Sequence, residues 1–195
     1  MGERARLPEL VEGDGLVLRR WTVDDAEVLD ALVDDNAEHL RGYMVWAADL
    51  PLGLERRRAM LEEWDASWRS GGDVVHGIFD GEVAVGGCGL HRRIGPTGLE
   101  IGYWVSHRHL GRGLARRSSA LLTSAAFALD DIDHVEIHHN ETNVRSRLVP
   151  EQLGYRHVGE IELTRALAPA ETQIEWVWRT VRAEWFARPG GVTAS

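Results

Sequence analysis

The chain has little of what would place it in several large classes. It holds one cysteine in 195 residues, Cys88, so it can form no internal disulfide and suits a reducing compartment. Within Val83-Ala84-Val85-Gly86-Gly87-Cys88-Gly89-Leu90 that thiol reads as a small buried hydrophobe. No apolar run approaches the ~20 residues that a membrane-spanning helix needs. Met1-Gly2-Glu3-Arg4-Ala5-Arg6 leads into no apolar signal region, and Gly2 fits no myristoylation pattern. Basic charge is in deficit, with 31 Asp and Glu against 22 Lys and Arg and a net charge of −9. A nucleic-acid binder needs a basic face, so the balance counts against that class and favours an amine-bearing partner. Internal repeats and low-complexity tracts are absent. A cytoplasmic protein with neither membrane nor nucleic acid as partner is expected.

What is present is ordinary globular composition, 44% hydrophobic and 27% charged, at a length suited to one domain. Residues 1–12 and 188–195 are expected to be flexible ends around a domain spanning 13–187. Residues 16–21 read as a strand, and Thr22 with Asp24 and Asp25 starts a helix. Met60, Leu61, Trp64 and Trp68 recur at helical spacing and predict a helix over 54–68. Strand patterns follow at 74–79 and 82–90, joined through Asp80-Gly81, and at 99–105. A helix is expected after Gly113, then a strand over 134–138 and a short helix ending at Leu153-Gly154-Tyr155. Strands over 158–163 and 173–180 complete an α/β chain of the α+β type, with a mixed, mostly antiparallel sheet flanked by helices.

The stretch Ile101-Gly102-Tyr103-Trp104-Val105-Ser106-His107-Arg108-His109-Leu110-Gly111-Arg112-Gly113-Leu114-Ala115 runs from an apolar strand through a basic, glycine-punctuated turn into a helix. The N–H groups of such a turn lack helical partners, and the helix dipole adds positive potential there, so the pattern suits a phosphate. Arg108 and Arg112 can add charge-assisted bonds to phosphate oxygens. A dinucleotide fold does not fit, because Arg116 occupies the third glycine position and three strands already precede the turn; Asp131 alone does not restore that pattern.

Arg108-His109-Leu110-Gly111-Arg112-Gly113 matches R/Q-x-x-G-x-G/A, and in this strand-turn-helix setting the chain resembles the GNAT superfamily of acyl-CoA-dependent N-acyltransferases. Residues 16–22, Asn36-Ala37-Glu38-His39-Leu40, Glu100-Ile101-Gly102-Tyr103-Trp104 and 143–155 are similar to the RimJ/RimL branch. The resemblance implies a sheet splayed between its fourth and fifth strands, here 99–105 and 134–138, with acetyl-CoA in the gap. It places backbone groups of Trp104, Val105 and Ser106 along the pantetheine arm and acetyl carbonyl. It places Arg108, His109, Leu110, Gly111, Arg112, Gly113 and Leu114 around the pyrophosphate, and Asn143 on the pantetheine. The activity implied is acetyl transfer to an amine acceptor, and a homodimer is compatible with it.

That chemistry needs a proton acceptor for the ammonium and a donor for the leaving thiolate. Glu100, on the strand lining the gap, is the candidate base, with a solvated strand carboxylate or the partner of an arginine as the bland readings. Ser146 is the candidate acid, with a helix cap as its bland reading. The tyrosine that many GNAT enzymes carry is replaced by Pro150, and Tyr155 is expected to pack in the core. Arg117 stands where the branch often has glutamate. Trp46, Trp64 and Trp68 are expected to line the acceptor pocket, and Trp176, Trp178 and Trp185 to be core or interface. His138 and His139 point to opposite faces of a strand, so no metal site is expected. An α-amine, with a pKa of about 8, needs less help to deprotonate than lysine at about 10.4. The expected acceptor is therefore a peptide N-terminus; a small-molecule amine, or a non-catalytic acyl-CoA-binding module, are the alternatives.

Overall fold

Residues 5–188 are described by a computed structural model. Its strands are β1 (Leu10–Gly13), β2 (Leu16–Arg20), β3 (Val74–Asp80), β4 (Val83–His91), β5 (Gly98–Val105), β6 (His134–Asn140), β7 (Arg156–Glu162) and β8 (Ile174–Val181). They form one sheet in the order β1-β2-β3-β4-β5-β6-β8-β7, antiparallel throughout except for β5 beside β6. The helices are α1 (Ala26–Asp35), α2 (Ala37–Arg41), α3 (Leu54–Arg69), α4 (Leu114–Phe127), α5 (Val144–Gln152) and α6 (Arg182–Phe186). None of the described helices is long and apolar enough to cross a membrane.

Alternation along the strands divides the apolar side chains between two cores. Leu16, Leu18, Val74, Ile78 and Leu90 pack with Leu114, Leu121 and Leu122 of α4. Trp21, Phe79 and the partly buried Val17, Val75 and Ala84 pack with Leu29 and Val33 of α1 and Leu61 of α3. The period-2 strand pattern thus meets the period-3.6 helical stripe on both faces of the sheet. A buried ion pair, Arg57 Nε to Asp30 Oδ1 at 3.1 Å, ties α3 to α1.

Two expectations need correction. The segment before Gly13 is part of the fold: β1 pairs with β2 from Leu10↔Arg19 to Gly13↔Leu16, and Leu7 and Val11 are buried. Only residues 1–4 of the expected N-terminal end, and 189–195 of the C-terminal one, lie outside the described residues. The β3–β4 turn is Gly81-Glu82, one residue later than Asp80-Gly81, because Asp80 pairs with Val83 and Gly81 supplies the positive φ.

The sheet's decisive feature is where pairing stops. β5 and β6 pair only over Gly98↔His134, Leu99↔Val135 and Glu100↔Glu136. Beyond that point β5 stays with β4 as far as Gly86↔Val105, while β6 stays with β8 as far as Asn140↔Glu175. The two strands open into a fork. Gly86 permits this close approach of β4 to the open arm, since a Cβ there would collide with the Trp104 carbonyl oxygen. Gly86→Ala is expected to lower the unfolding free energy by about 1–3 kcal/mol, seen as a Tm drop of about 2–4 °C per kcal/mol in a calorimetric scan.

Candidate functional site

The fork leaves N–H and C=O groups of both strands without strand partners on their inner edges. Buried backbone groups need partners, so an extended, amide-bearing ligand that adds to a strand edge suits this gap. At its mouth β5 ends in a 3-10 turn, His107–His109, and the chain then enters α4. Gly111 and Gly113 both adopt positive φ (77° and 69°), and no side chain caps α4. The first N–H groups of a 14-residue helix therefore point outward unsatisfied, as an anion requires.

The expected cradle residues are brought together there, with differences. Arg108 is held by a two-pronged bond to Asp35 (2.8 and 2.6 Å), and Arg112 donates to Asp80 at 2.5 Å. His109 and Leu110 belong to the same turn, and the buried Leu114 roots α4 in the core. Ser106 faces away from the gap: its N–H donates to the Val85 carbonyl at 2.8 Å and its hydroxyl meets Asn36. It is a structural anchor, contrary to the role along the pantetheine. Asn36 itself, fully buried, is the clamp of the turn. Its Oδ1 accepts the His107 N–H at 2.7 Å and contacts His107 Nδ1 at 2.9 Å, while its Nδ2 donates to Leu32 O and Ser106 Oγ. Arg116, on the first turn of α4, is exposed and makes no ion pair among the described residues.

Between the arms of the fork two hydroxyls meet. Ser146 Oγ lies 2.9 Å from Tyr103 Oη, and the phenol also donates to the Ser146 carbonyl at 3.1 Å. Pro150 explains this geometry. In α5 it lacks the N–H that would bond the carbonyl four residues back, which is that of Ser146, and the freed carbonyl takes the Tyr103 hydroxyl instead. The helix cap is supplied by Asn143, whose Oδ1 accepts the Ser146 N–H at 3.1 Å. The Ser146 hydroxyl is therefore not spent on capping. Burial pushes the Tyr103 phenol upward, so it stays protonated at neutral pH. Tyr155, by contrast, is buried in the core and bonded to Thr123 at 2.7 Å.

A cavity of about 770 Å³ adjoins the fork, reached by Glu100, Tyr103, Trp104, His138, Asn143 and Ser146 among others. One wall is aromatic: Trp21, Trp46, Trp64 and Trp104 line it, with Trp46 and Trp104 ring centroids 6.5 Å apart. Trp68 does not reach it. One helical turn beyond Trp64, it is buried in the α4-side core and donates its indole N–H to Leu7 O at 2.8 Å. Trp178 and Trp185 are buried and Trp176 packs against them as partly buried core.

The other wall is charged. Both oxygens of Glu100 are taken by Arg93, at 2.7 Å each. The carboxylate expected as a free base is the arginine-paired one. Its strand neighbour Glu136 is bound by Arg179 and by His138 Nε2 at 2.6 Å. Burial alone would lower the His138 pKa, but Glu136, Glu175 and Glu100 outweigh it and raise the imidazolium to about 9. Burial likewise works against ionised Glu136, and its bonds from His138 and Arg179 hold it below the usual range. His139 faces the opposite side, accepting the Trp178 indole N–H at 2.9 Å. The sequence reading missed Asn36, Tyr103 and His138 as site residues; only Pro150 carried a signal, through the carbonyl it must free.

Residues 15–156 match the family described as the acetyltransferase (GNAT) domain. The chain is 25% identical over 148 residues to "Putative ribosomal N-acetyltransferase YdaF" of Bacillus subtilis (strain 168), covering 74% of this chain and 80% of that protein. Among solved structures it resembles RimL, the ribosomal L7/L12 alpha-N-protein acetyltransferase in complex with coenzyme A, with a TM-score of 0.79 at 19% identity over 91% of this chain and 98% of that one. It also resembles the microcin C7 self-immunity acetyltransferase MccE in complex with acetyl-CoA and AMP, with a TM-score of 0.78 at 16% identity over 87% and 93% of the two chains.

Two measurements check this geometry. Asn36→Ala strands the His107 N–H and is expected to cost about 1–3 kcal/mol, with faster hydrogen exchange concentrated at Ser106 and His107. His138 titrates at about 9 when folded and near 6.5 when unfolded. Its stabilisation is therefore full below about pH 6.5 and lost as pH rises to about 9. Thermal scans against pH should show this alkaline decline in the wild type and a shallower one in His138→Gln.

Proposed function

Because the chain belongs to the GNAT acetyltransferases, we propose that it carries acetyl from acetyl-CoA to a primary amine, the α-amine of a protein or peptide N-terminus. One observation carries this reading: a forked strand pair leads from an uncapped helix start to a hydroxyl pair, and a cavity with one aromatic and one charged wall opens beside that pair. The left-handed glycines and unsatisfied N–H groups at the start of α4 fit a pyrophosphate, so Gly111, Gly113, Arg108, Arg112 and Arg116 would hold acetyl-CoA there. The Trp104 backbone shares the β4-facing side of Ser106, so the free edge at Val105 and the Asn143 amide would take the pantetheine arm. Acetyl-CoA supplies the activated acetyl group as a thioester.

The chain's own groups then handle protons and position. Ser146 would donate a proton at the sulfur, with the Tyr103 hydroxyl orienting it through the 2.9 Å contact. Glu100 and Glu136, each neutralised by an arginine, would hold the wall of the fork in shape beside the acceptor. An α-amine suits this site because about a tenth of it is already neutral at pH 7, whereas lysine is neutral at under about one part in a thousand. The names of YdaF and RimL agree with a ribosomal-protein N-terminus, in the manner of the RimJ/RimL branch. A cytoplasmic location agrees with a single, buried cysteine.

A second reading, acetylation of a small-molecule amine, rests on the aromatic wall of Trp21, Trp46, Trp64 and Trp104 and on the fold shared with MccE. The test is release of CoA thiol across N-terminal peptides, lysine peptides and small amines. The chain contains no lysine, so acetyl-lysine in the products can come only from the acceptor. Turnover confined to peptides with free α-amines is expected. Ser146→Ala should lower kcat by about 100-fold or more, and Arg116→Ala should weaken CoA binding with kcat little changed. Turnover of small amines alone would favour the second reading, and tight CoA binding without any turnover would point to a non-catalytic acyl-CoA-binding module.

A further inference from the structure

Three carboxylates line the cavity among the described residues: Glu100, Glu171 and Glu175. Two are locked. Arg93 holds both oxygens of Glu100 at 2.7 Å, and Arg165 holds both oxygens of Glu171 at 2.8 Å, where Glu171 also accepts the Ala168 N–H. A carboxylate whose two oxygens face a guanidinium is a poor proton acceptor, because protonation would break a charge-assisted pair in a half-buried site. Glu175 is different. Its only ion pair among the described residues is with His138 Nδ1, at 3.6 Å, which is longer than a hydrogen bond.

Its place in the fold also suits the reaction. Glu175, on β8, pairs with Asn140, the last residue of β6, at the open end of the fork. Asn143, the cap of α5, follows three residues later and carries Ser146 with it. Glu100, by contrast, stands at the closed end, where β5 and β6 still pair. We propose that Glu175 is the group that takes the proton from the acceptor ammonium, with His138, 3.6 Å away, as a positioning residue. The step breaks one N–H bond of the ammonium and forms one O–H bond on Glu175. The lone pair is left on nitrogen for attack, and the proton passes from Glu175 to solvent through the cavity. The inference rests on the amine chemistry proposed above but not on which amine is used.

The titratable and charged groups around Glu175 come from every neighbouring element. Glu100 on β5 and Arg93 before it, Glu136, His138 and His139 on β6, Arg165 and Glu171 in the β7–β8 loop, and Arg179 on β8 all contribute. The carboxylates other than Glu175 are each matched by an arginine, whereas Glu175 faces only His138, whose Nδ1 also lies 3.9 Å from Glu100 and whose Nε2 bonds Glu136.

The experiment compares wild type, Glu175→Gln, Glu175→Asp and Glu100→Gln on whichever acceptor class turns over best. Glu175→Gln is expected to lose about 100-fold or more in kcat at pH 7. Its rate should then climb about tenfold per pH unit as solvent supplies neutral amine. Glu175→Asp should restore part of the rate, and Glu100→Gln should lose less than about tenfold. NMR titration of His138 gives a second readout, independent of acceptor and of acetyl-CoA: the ring should titrate at lower pH in Glu175→Gln than in wild type. Wild-type rate and pH profile in Glu175→Gln, the large loss appearing in Glu100→Gln instead, or an unmoved His138 would each overturn the proposal. Failure of peptides alone, with small amines active, would overturn only the acceptor named above. Absence of turnover with every amine would overturn both.

Discussion

The structure depends on the separation of β5 from β6. A parallel pair that ran to its full length would satisfy its own backbone and leave a closed sheet with nothing to bind. Here pairing ends at Glu100↔Glu136, and each strand keeps its other neighbour. β4 follows β5 outward because Gly86 allows it, and β8 follows β6 to Asn140. The open edges are thereby held rigid by the sheet while remaining available to a ligand. Everything functional is arranged around this fork: the phosphate turn at its mouth, the hydroxyl pair between its arms, the charged wall beside it.

The two ends of the fork are stabilised by different chemistry. At the mouth a buried neutral amide, Asn36, fixes the turn by four contacts, so the N–H groups beyond it are pre-aimed before any ligand arrives. At the closed end the sheet brings two buried glutamates side by side. Like charges there would repel, and Arg93, Arg179 and His138 neutralise them. The same neutralisation makes Glu100 a fixture of the fold and leaves proton chemistry to the less constrained groups nearby.

Most elements were legible from pattern. The strands from β2 onwards, and the long helices α3 and α4, follow from periodicity and caps, and the phosphate turn follows from two glycines that must adopt positive φ. β1 was not legible because four residues, Leu-Val-Glu-Gly, are too few to establish a period. Trp68 was misplaced because helical spacing says which residues share a stripe but not which of the two cores each of them joins. Ser106 was misassigned for a related reason: backbone groups at a strand end may face either neighbour, and here Val85 claims its N–H.

The sequence by itself determined the local conformations, the two apolar faces and the turn fitted to an anion, because each arises from residues close together along the chain. It also exposed an oddity, Pro150, without its consequence. Only the tertiary structure decided that the carbonyl freed by Pro150 meets Tyr103, that Glu100 is taken by Arg93 and that Glu175 is not taken by any arginine. Those pairings join residues far apart in the chain or on different elements. Whether a side chain is spent or free depends on every group within a few ångströms, and that neighbourhood exists only once the sheet has formed and forked.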